Sequence, residues 1–356
     1  MAEDKHQKVR KGEELNIVPL QKFLYENKLI SSSNASISVT QFTHGYSNLT
    51  YLLTTEDTDY VLRKPPFGAI KRGHDMGREY RVQKAIEAQF SKVPKMYAYT
   101  DDTTILGSPF YLMERMDGLI LSHQQAKKMQ LPPKAYETIA MTWLDTFVAL
   151  HKVDYKAAGL TDLGKPEGYV ARQVTNWGKQ YIKAATDDVP AAAQVMRWME
   201  EHQPKEYGYS LIHNDYKYDN VVFKNDQWNE ISAVLDWEMA TLGDPLMDLG
   251  TSLGYWTIHT DHDMVKQGIP SPTIFEGNPK RSEIVEHYAK KSGASINHLV
   301  FYYAYGLFKI AVIAQQIYFR YKQGYTTDPR FANLNKAAAL CCNLALKAIQ
   351  THKIDG

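Results

Sequence analysis

The segment from His213 to Asp236 constrains this chain more than any other, because it joins polar side chains at fixed spacing to two strand-like runs. A loop carries Asp215 and, five residues later, Asn220. Two short apolar runs follow, separated by a polar turn, and this pattern predicts a β-hairpin. The hairpin would return Asp236 to the loop, so that two carboxylates and one amide surround one centre.

Phosphoryl transfer is the chemistry that such a centre favours. The reaction needs an acceptor oxygen held in line, a carboxylate that takes its proton and metal ions that bridge the phosphates, but little covalent chemistry from the protein. Carboxylate and amide oxygens are ligands that suit magnesium. Asn and Asp are also common in ordinary turns, so a His-x-Asp triplet alone would say little. The spacing to Asn220 and the return of Asp236 favour a functional site over a plain turn.

The pattern of the chain changes near residues 114–120, which we interpret as the join between two lobes. Residues 1–36 are assigned to an N-terminal tail and a first helix, residues 37–116 to a small β-rich lobe, and residues 117–356 to a larger helical lobe. The predicted fold class is therefore α+β. The strand-like runs of the small lobe are Ile37–Phe42, Thr50–Thr54, Tyr60–Lys64 and Phe110–Arg115, with a helical run at Met76–Phe90.

The larger lobe contains long runs with apolar residues at helical spacing. These runs are Tyr136–Lys152, Tyr169–Ala185, Ala191–His202, Asn297–Tyr321 and Ala332–Gln350, and the strand-like runs are Leu211–Ile212, Val221–Lys224 and Ile231–Asp236. The most hydrophobic stretch, Leu299–Ala314, contains Lys309 and is shorter than the roughly 20 apolar residues of a membrane helix. It predicts a buried core helix and no membrane partner.

Charge and cysteine content exclude several classes of function. The chain has 41 basic and 40 acidic side chains and a net charge of +1, whereas nucleic-acid-binding proteins usually show a basic excess or stripe. Cys341 and Cys342 are adjacent, which disfavours a bridge between them, and no Cys-x-x-Cys spacing suggests zinc or redox chemistry. The first residues are charged and lack the apolar run of a secretory signal. We therefore expect a cytoplasmic protein that binds no nucleic acid.

The segment His213–Asn220 resembles the catalytic loop of the protein-kinase-like fold, in the version used by aminoglycoside phosphotransferases and choline kinases. Three further stretches resemble the phosphotransferase domain found fused to, or encoded near, some acyl-CoA dehydrogenases. These stretches are residues 45–51, residues 164–169 with Trp177, and residues 233–248. The resemblance covers about residues 37–325. It implies a two-lobed fold and a small-molecule kinase that uses ATP or GTP with magnesium.

The resemblance also implies roles for single residues of the loop and hairpin. Asp215 matches the catalytic base, and Asn220 and Asp236 match the magnesium ligands. Lys217, two residues after the base, stands where protein kinases carry a lysine that faces the γ-phosphate. His213 matches the first residue of the motif, for which we expect a structural role.

The small lobe is expected to grip the nucleotide through a cation on its third strand, held by a glutamate on the helix. Alternation along Tyr60–Lys64 places Val61 and Arg63 on one face and Leu62 and Lys64 on the other. Aligned with the kinase pattern, Arg63 takes the place of the lysine, and Lys64 remains the alternative. Glu79 is the matching helix partner, although an exposed helix charge is the plain alternative.

Two other parts of the small lobe are assigned to nucleotide binding by the resemblance. Backbone amides around Gly45, together with Ser47 and Asn48, would cover the phosphates, although the loop is not a Gly-x-Gly-x-x-Gly sequence. Glu114 and Met116 bracket the hinge, where backbone groups would meet the base of the nucleotide.

The acceptor is expected to be a small molecule. Protein kinases carry a long activation segment after the metal-binding Asp, whereas here Asp236 is followed almost at once by Gly243-Asp244-Pro245. A platform for a peptide substrate is therefore missing. Asp244 has the pattern of a helix N-cap followed by Pro at the first helical position, and we expect structural roles for Asp244 and Asp248.

The charge of the C-terminal part favours an anionic acceptor. Residues 251–356 contain twelve Lys and Arg against seven Asp and Glu, which is the wrong sign for a polycationic aminoglycoside. The resemblance points to a hydroxylated acyl group, as in a hydroxyacyl-CoA or a hydroxy acid. An aminoglycoside or choline-type phosphotransferase is the alternative within the same class. The alternative from another class is a nucleotide-binding pseudokinase that acts as a partner module beside an acyl-CoA dehydrogenase. The presence of all three residues, Asp215, Asn220 and Asp236, argues against it.

Overall fold

The structure, a computed structural model, describes residues 6–43, 48–66, 75–187, 189–205 and 207–355. The chain divides into two compact units. The first unit comprises residues 1–119, 222–226 and 231–240, and the second unit comprises residues 120–221, 227–230 and 241–356. The fold is α+β with a six-stranded antiparallel sheet and a mainly helical second unit, as predicted.

The first unit is built on that six-stranded sheet. In chain order its strands are β1 (His6–Gln7), β2 (Ser38–Phe42), β3 (Leu49–Thr54), β4 (Asp59–Lys64), β5 (Met96–Thr100) and β6 (Phe110–Glu114), and its helices are α1 (Ile17–Glu26), α2 (Met76–Ile86) and α3 (Thr103–Leu106). The strand order is β1-β2-β3-β4-β6-β5. All the pairings are antiparallel. Helix α1 lies in the connection from β1 to β2, and helices α2 and α3 lie in the connection from β4 to β6.

Strand β4 is buried on both faces, and its side chains alternate as the sequence predicts. Leu62 packs in a core cluster with Leu20 and Leu24 of α1. Val61 packs in a separate cluster with Met76 of α2 and Tyr111 of β6. Because side chains alternate across a strand, the residue two after Val61 lies on the α2 face, and the residue two after Leu62 lies on the α1 face.

Strand β7 (Ser210–Ile212) precedes the predicted hairpin. The hairpin is present and forms a separate two-stranded sheet from β8 (Val221–Phe223) and β9 (Ile231–Val234). Gly118 contacts it closely: a Cβ on this glycine would lie 2.3 Å from the carbonyl oxygen of Phe223, and its φ of 151° is one that only glycine adopts readily. Val234 donates its backbone N–H to the carbonyl of Lys92 at 2.8 Å. The end of β9, and with it the start of the Asp236 turn, is thereby fixed within the first unit.

The second unit is mainly helical. Its strands are β7 (Ser210–Ile212) and β10 (Thr241–Gly243), which pair antiparallel, and its helices are α4 (His123–Met129), α5 (Pro133–His151), α6 (Tyr169–Ala184), α7 (Pro190–Glu201), α8 (Pro245–Gly254), α9 (Asp263–Gly268), α10 (Arg281–Ser292), α11 (Leu299–Lys322) and α12 (Leu334–Thr351). One-turn 3₁₀ helices lie at Tyr218–Asn220, Trp237–Met239, Pro272–Ile274 and Pro329–Phe331.

Helix α11 is the core helix of the second unit, as its apolar sequence predicts, and it is buried without interruption from Phe301 to Val312. It crosses α8 where two glycines meet. A Cβ on Gly306 would lie 1.9 Å from the carbonyl oxygen of Gly250. Only glycine at this crossing allows the two backbones to approach so closely.

The two cysteines lie next to each other on α12. Cys341 and Cys342 are both buried and free, in agreement with the expectation that they form no bridge. Among the described residues, none of the helices combines the length and the apolarity that a membrane span requires.

Candidate functional site

Arg63 is the centre of a charged cluster in the first unit. It is 8% exposed on β4, and its Nη1 lies 3.1 Å from Oε1 of Glu79 on α2. Its Nη2 lies 3.0 Å from Oδ1 of Asp236 and 3.9 Å from Oε2 of Glu238. One guanidinium therefore contacts carboxylates from a helix and from the turn after β9.

The acidic neighbours of Arg63 hold its guanidinium in the ionised form. Burial alone would lower the pKa of Arg63, but Glu79, Tyr111, Asp236 and Glu238 outweigh it and raise this pKa well above its ordinary value. Burial raises the pKa of Glu79, and the neighbouring guanidinium opposes that rise. A guanidinium in this setting remains a permanent cation with the planar geometry that suits phosphate oxygens.

Asp236 occupies a strained backbone position at the end of β9. Its φ is 66° and its ψ is 62°, the left-handed conformation, which is uncommon for residues other than Gly, Asn and Asp. Its side chain is 33% exposed, in contrast to the buried Glu79. The carboxylate is thus paired with Arg63 and still accessible to a cation from solvent.

Asn48 and Glu238 form a further contact in the first unit. Asn48 is buried, and its Nδ2 donates to Oε2 of Glu238 at 2.9 Å. Glu238 is a member of the cluster that sequence reasoning did not assign to the site. The available signal was its position two residues after Asp236, in the triplet Asp236-Trp237-Glu238. Gly45 and Ser47, which were predicted for nucleotide binding, lie outside the described residues.

The hydrogen bonds of Lys64 and Glu114, two other residues considered for nucleotide binding, involve no member of the Arg63 cluster. Lys64, on the opposite face of β4, donates from Nζ to the carbonyl of Leu106 at 2.7 Å. The carboxylate of Glu114 accepts the N–H of Lys95 at 3.0 Å, so this side chain caps the neighbouring strand. Met116 follows β6 and is partly buried.

Asp215, Lys217 and Asn220 form a second cluster, in the second unit. Nζ of Lys217 lies 2.9 Å from Oδ2 of Asp215 and 3.1 Å from Oδ1. Nδ2 of Asn220 donates to Oδ2 of Asp215 at 2.8 Å and to the Asp215 carbonyl at 2.8 Å. The 3₁₀ turn Tyr218–Asn220 brings the amide back to the carboxylate that precedes it by five residues.

Lys217 carries a firm positive charge beside this carboxylate. Burial would lower its pKa, but Asp215 and the ring of Tyr255 outweigh the loss of solvent and raise the pKa above its ordinary value. Nζ lies 4.9 Å from the centre of the Tyr255 ring, a distance typical of a cation–π contact. A cation is therefore present beside Asp215 at neutral pH.

The donor atoms of both clusters fit magnesium by their chemistry. Asn220 uses its amide nitrogen toward Asp215, so its amide oxygen is the atom that faces other partners. Asp236 offers a carboxylate that is one-third exposed. Hard divalent cations prefer such oxygens.

The loop that carries Asp215 is supported by a buried carboxylate from α8. Asp248 accepts the backbone N–H of His213 at 2.6 Å and that of Asn214 at 2.8 Å. Nε2 of His151 lies 3.2 Å from its Oδ2. Burial opposes the charge, but these hydrogen bonds and the histidines lower the pKa of Asp248.

Asp244 has the predicted capping role at the start of α8. Its carboxylate accepts the N–H of Leu246 at 2.9 Å, and Pro245 is the first helical residue. Burial raises the pKa of Asp244 to about 6. Asp244 therefore stabilises the start of α8, and Asp248 stabilises the backbone of the loop that carries Asp215.

The chain is similar to proteins of one known family. The model of the phosphotransferase enzyme family (APH) matches residues 38–269. Mouse acyl-CoA dehydrogenase family member 10 is 33% identical over 337 residues, which are 92% of this chain and 30% of that protein. The chain spans less than half the length of the curated relatives it matches.

Two solved structures share the fold. A protein of Ralstonia eutropha JMP134 assigned to the aminoglycoside phosphotransferases is 30% identical, with a TM-score of 0.80 over 95% of this chain and 99% of that chain. A thermostable mutant of aminoglycoside phosphotransferase APH(4)-Ia, in ternary complex with AMP-PNP and hygromycin B, is 16% identical, with a TM-score of 0.58 over 92% and 98%. The chain therefore belongs to the phosphotransferase enzyme family and shares the α+β fold of these structures.

Proposed function

We propose that this kinase transfers the γ-phosphoryl group of ATP or GTP to the hydroxyl of a hydroxyacyl-CoA or a hydroxy acid. The observation that carries the choice of acceptor is the charge on the outside of the second unit. Between residues 251 and 356, nine of the twelve basic side chains are exposed, against four of the seven acidic ones. The exposed basic residues are Lys280, Lys290, Lys291, Arg320, Lys322, Arg330, Lys336, Lys347 and Lys353, and the exposed acidic residues are Asp263, Glu276, Glu283 and Glu286.

This excess of exposed positive charge suits an acceptor that carries phosphate groups or a carboxylate. A coenzyme A thioester bears several phosphate charges remote from its reacting hydroxyl. Basic side chains would therefore bind the phosphate groups of coenzyme A without contacting the reacting atoms. The same surface would repel a polycationic antibiotic. The names of the relatives, acyl-CoA dehydrogenase family members, support an acyl-CoA acceptor and an acyl-CoA dehydrogenase as a partner.

In the proposed reaction, Asp215 is the base. Its carboxylate takes the proton of the acceptor hydroxyl as the oxygen bonds to the γ-phosphorus and the bond to the β-phosphate oxygen breaks. Lys217, which is held charged beside Asp215, would neutralise charge on the transferred group. Removal of a general base typically costs about 10²–10⁴-fold in rate.

Nucleotide binding is assigned to the first unit. We propose that Arg63, oriented by Glu79, binds the α- and β-phosphates, that Gly45, Ser47 and Asn48 cover them, and that backbone groups at Glu114 and Met116 meet the base. The presence of AMP-PNP in the complex of APH(4)-Ia supports the use of a nucleoside triphosphate. Asn220 and Asp236 are proposed as the residues that would hold magnesium, which would supply positive charge that neutralises the phosphates during transfer.

A panel of acceptors tests the proposal. Purified protein is incubated with magnesium and γ-labelled ATP or GTP, together with hydroxy acids, hydroxyacyl-CoAs, kanamycin or choline, and Asp215→Asn serves as the background control. We expect kcat/KM for a hydroxyacyl-CoA or hydroxy acid to exceed that for kanamycin by at least about a hundredfold, or about 2.7 kcal/mol in transition-state binding.

The other outcomes separate the alternatives. Turnover of kanamycin or choline with no hydroxyacyl substrate would assign the chain to an aminoglycoside or choline-type acceptor, which the Ralstonia eutropha structure would favour. Nucleotide binding with neither acceptor phosphorylation nor magnesium-dependent ATP hydrolysis would indicate a pseudokinase.

A further inference from the structure

Lys309 is a charged residue in the middle of the apolar core helix α11. It is 1% exposed, and its neighbours Phe308 and Ile310 are also buried. An ammonium group loses its hydration on burial, so it is retained in a core only where polar or charged partners satisfy it. The partners of Lys309 therefore indicate its role.

Those partners belong to the loop that carries Asp215. Nζ of Lys309 donates to the backbone carbonyl of Asn214 at 2.7 Å and lies 3.3 Å from its side-chain Oδ1. The ring of Trp177 on α6 lies 5.8 Å from the same nitrogen. Lys309 thus binds the residue that directly precedes Asp215.

Asn214 is held at both ends of its backbone. Its φ is 67°, in the left-handed region. Its backbone N–H donates a hydrogen bond to Asp248, and its backbone carbonyl accepts one from Lys309. The next N–H, that of Asp215, donates to Nδ1 of His213 at 3.3 Å. The peptide plane between Asn214 and Asp215 is therefore fixed at its carbonyl and at its N–H, and rotation of this plane would redirect the Asp215 side chain.

The glycine crossing of α8 and α11 delivers both charges to this loop. Gly306 precedes Lys309 by three residues, one helical turn, and Gly250 follows Asp248 by two. The close approach of Gly306 to Gly250 brings the two helices together beneath the loop. A carboxylate from one helix and an ammonium group from the other thereby reach the same residue.

We propose that Lys309 is a positioning residue of the phosphotransferase site, which holds the Asn214–Asp215 peptide plane so that the Asp215 carboxylate is oriented for proton transfer. This proposal rests on the proposed role of Asp215 as the base. Lys309 acts through Asn214 and has no contact with substrate of its own to make, since it is buried.

The test compares Lys309→Met, which keeps the length but removes the donor, with Lys309→Arg, which keeps the charge. Gln315→Met is the matched control, because Gln315 is a buried polar residue of the same helix that donates to Ala184 and Thr186, away from the loop. Melting temperature, the Kd for ADP with magnesium, and kcat for magnesium-dependent ATP hydrolysis are measured for each variant.

Lys309→Met is expected to lower kcat at least tenfold and to leave the Kd for ADP within twofold. Gln315→Met should leave kcat within twofold even where it lowers the melting temperature as much, and Lys309→Arg should recover part of the lost rate. A kcat for Lys309→Met equal to that of the control would overturn the inference. If Lys309→Met does not fold, Lys309→Gln is measured in its place against the same criteria.

A double variant separates this inference from the proposed function. If Lys309 acts through Asp215, adding Lys309→Met to Asp215→Asn should cost no further rate, whereas multiplied losses would overturn the positioning role. An inactive Asp215→Asn beside a fully active Lys309→Met would overturn the inference alone. A fully active Asp215→Asn would contradict the proposed function, and the inference with it.

Discussion

Nη1 of Arg63 lies 3.1 Å from Oε1 of Glu79, and this ion pair joins the middle strand β4 of the sheet to helix α2. The neighbouring Lys64 has no part in it, because strand alternation turns its side chain to the other face, where it binds the carbonyl of Leu106. Two adjacent cations on one strand therefore have different environments, and the first prediction depends on that difference.

Arg63→Ala should weaken nucleotide binding by at least about tenfold, whereas Lys64→Ala should change it by less than twofold. Loss of a bidentate phosphate contact of this kind costs roughly 1.5–3 kcal/mol. Calorimetric titration with ADP and magnesium measures the effect. Since Arg63→Ala also leaves Glu79 buried without its partner, Arg63→Lys is measured beside it, and both variants are checked by melting temperature. Equal losses of affinity in Arg63→Ala and Lys64→Ala would contradict the assignment of the phosphate contact to Arg63.

Asp236→Ala should abolish the magnesium dependence of nucleotide binding together with activity, because the Asp236 carboxylate is proposed as a ligand of the magnesium that would neutralise phosphate charge. Asp219→Ala is the matched control, since Asp219 is an exposed carboxylate next to Asn220. Binding of ADP with magnesium and with EDTA is compared for both variants. A crystal soaked with nucleotide and manganese should give anomalous density at Asp236, and density only at other residues would contradict the assignment.

The pH dependence of kcat should show a limb that belongs to Lys309. Burial lowers the pKa of Lys309 to about 8. The charges of Asp248 and Asp215 oppose this decrease, and the charge of Lys217 adds to it. The ammonium form is complete below this pH and is lost as pH rises through it, and a charged donor binds a carbonyl more strongly than a neutral amine does. Between pH 7 and 9 kcat should therefore fall a few-fold.

Lys309→Arg provides the comparison, since a guanidinium remains protonated over this range. Its kcat should be flat between pH 7 and 9, at whatever level the variant retains. Lys217 gives no limb in this window because its own pKa is raised. An identical decline in the variant would assign the limb to another group.

Much of the fold was predictable because its signals are local. The runs at Tyr60–Lys64, Tyr169–Ala185 and Ala191–His202 match β4, α6 and α7 to within one residue at each end. Strand β5 was missed because Met96–Thr100 shows no alternation of apolar and polar residues in sequence; the run pairs with β6 across a register shift. Helix α10 was missed because Arg281–Ser292 is largely polar, and tertiary packing of Ile284, Val285 and Tyr288 supplies the apolar contacts that its sequence pattern does not display.

Asp215, Asn220 and Asp236 were predictable from their spacing along one loop and one hairpin. Arg63 and Glu79 were predicted from strand alternation and from the family resemblance. Two contributors were not. Glu238 acts through a long-range contact with Asn48, 190 residues away, which no local pattern encodes. Lys309 reads in the sequence only as a charge that interrupts an apolar run, and its contact with Asn214 depends on the glycine crossing of two helices.

The most direct test of the proposed mechanism is the turnover of Asp215→Asn with an acceptor identified from the panel. The variant should bind ADP and magnesium within twofold of the wild type, because Asp215 is assigned to the acceptor proton, and its kcat should fall by about 10²–10⁴-fold. A variant that keeps more than about half of the wild-type kcat would contradict the assignment of Asp215 as the base.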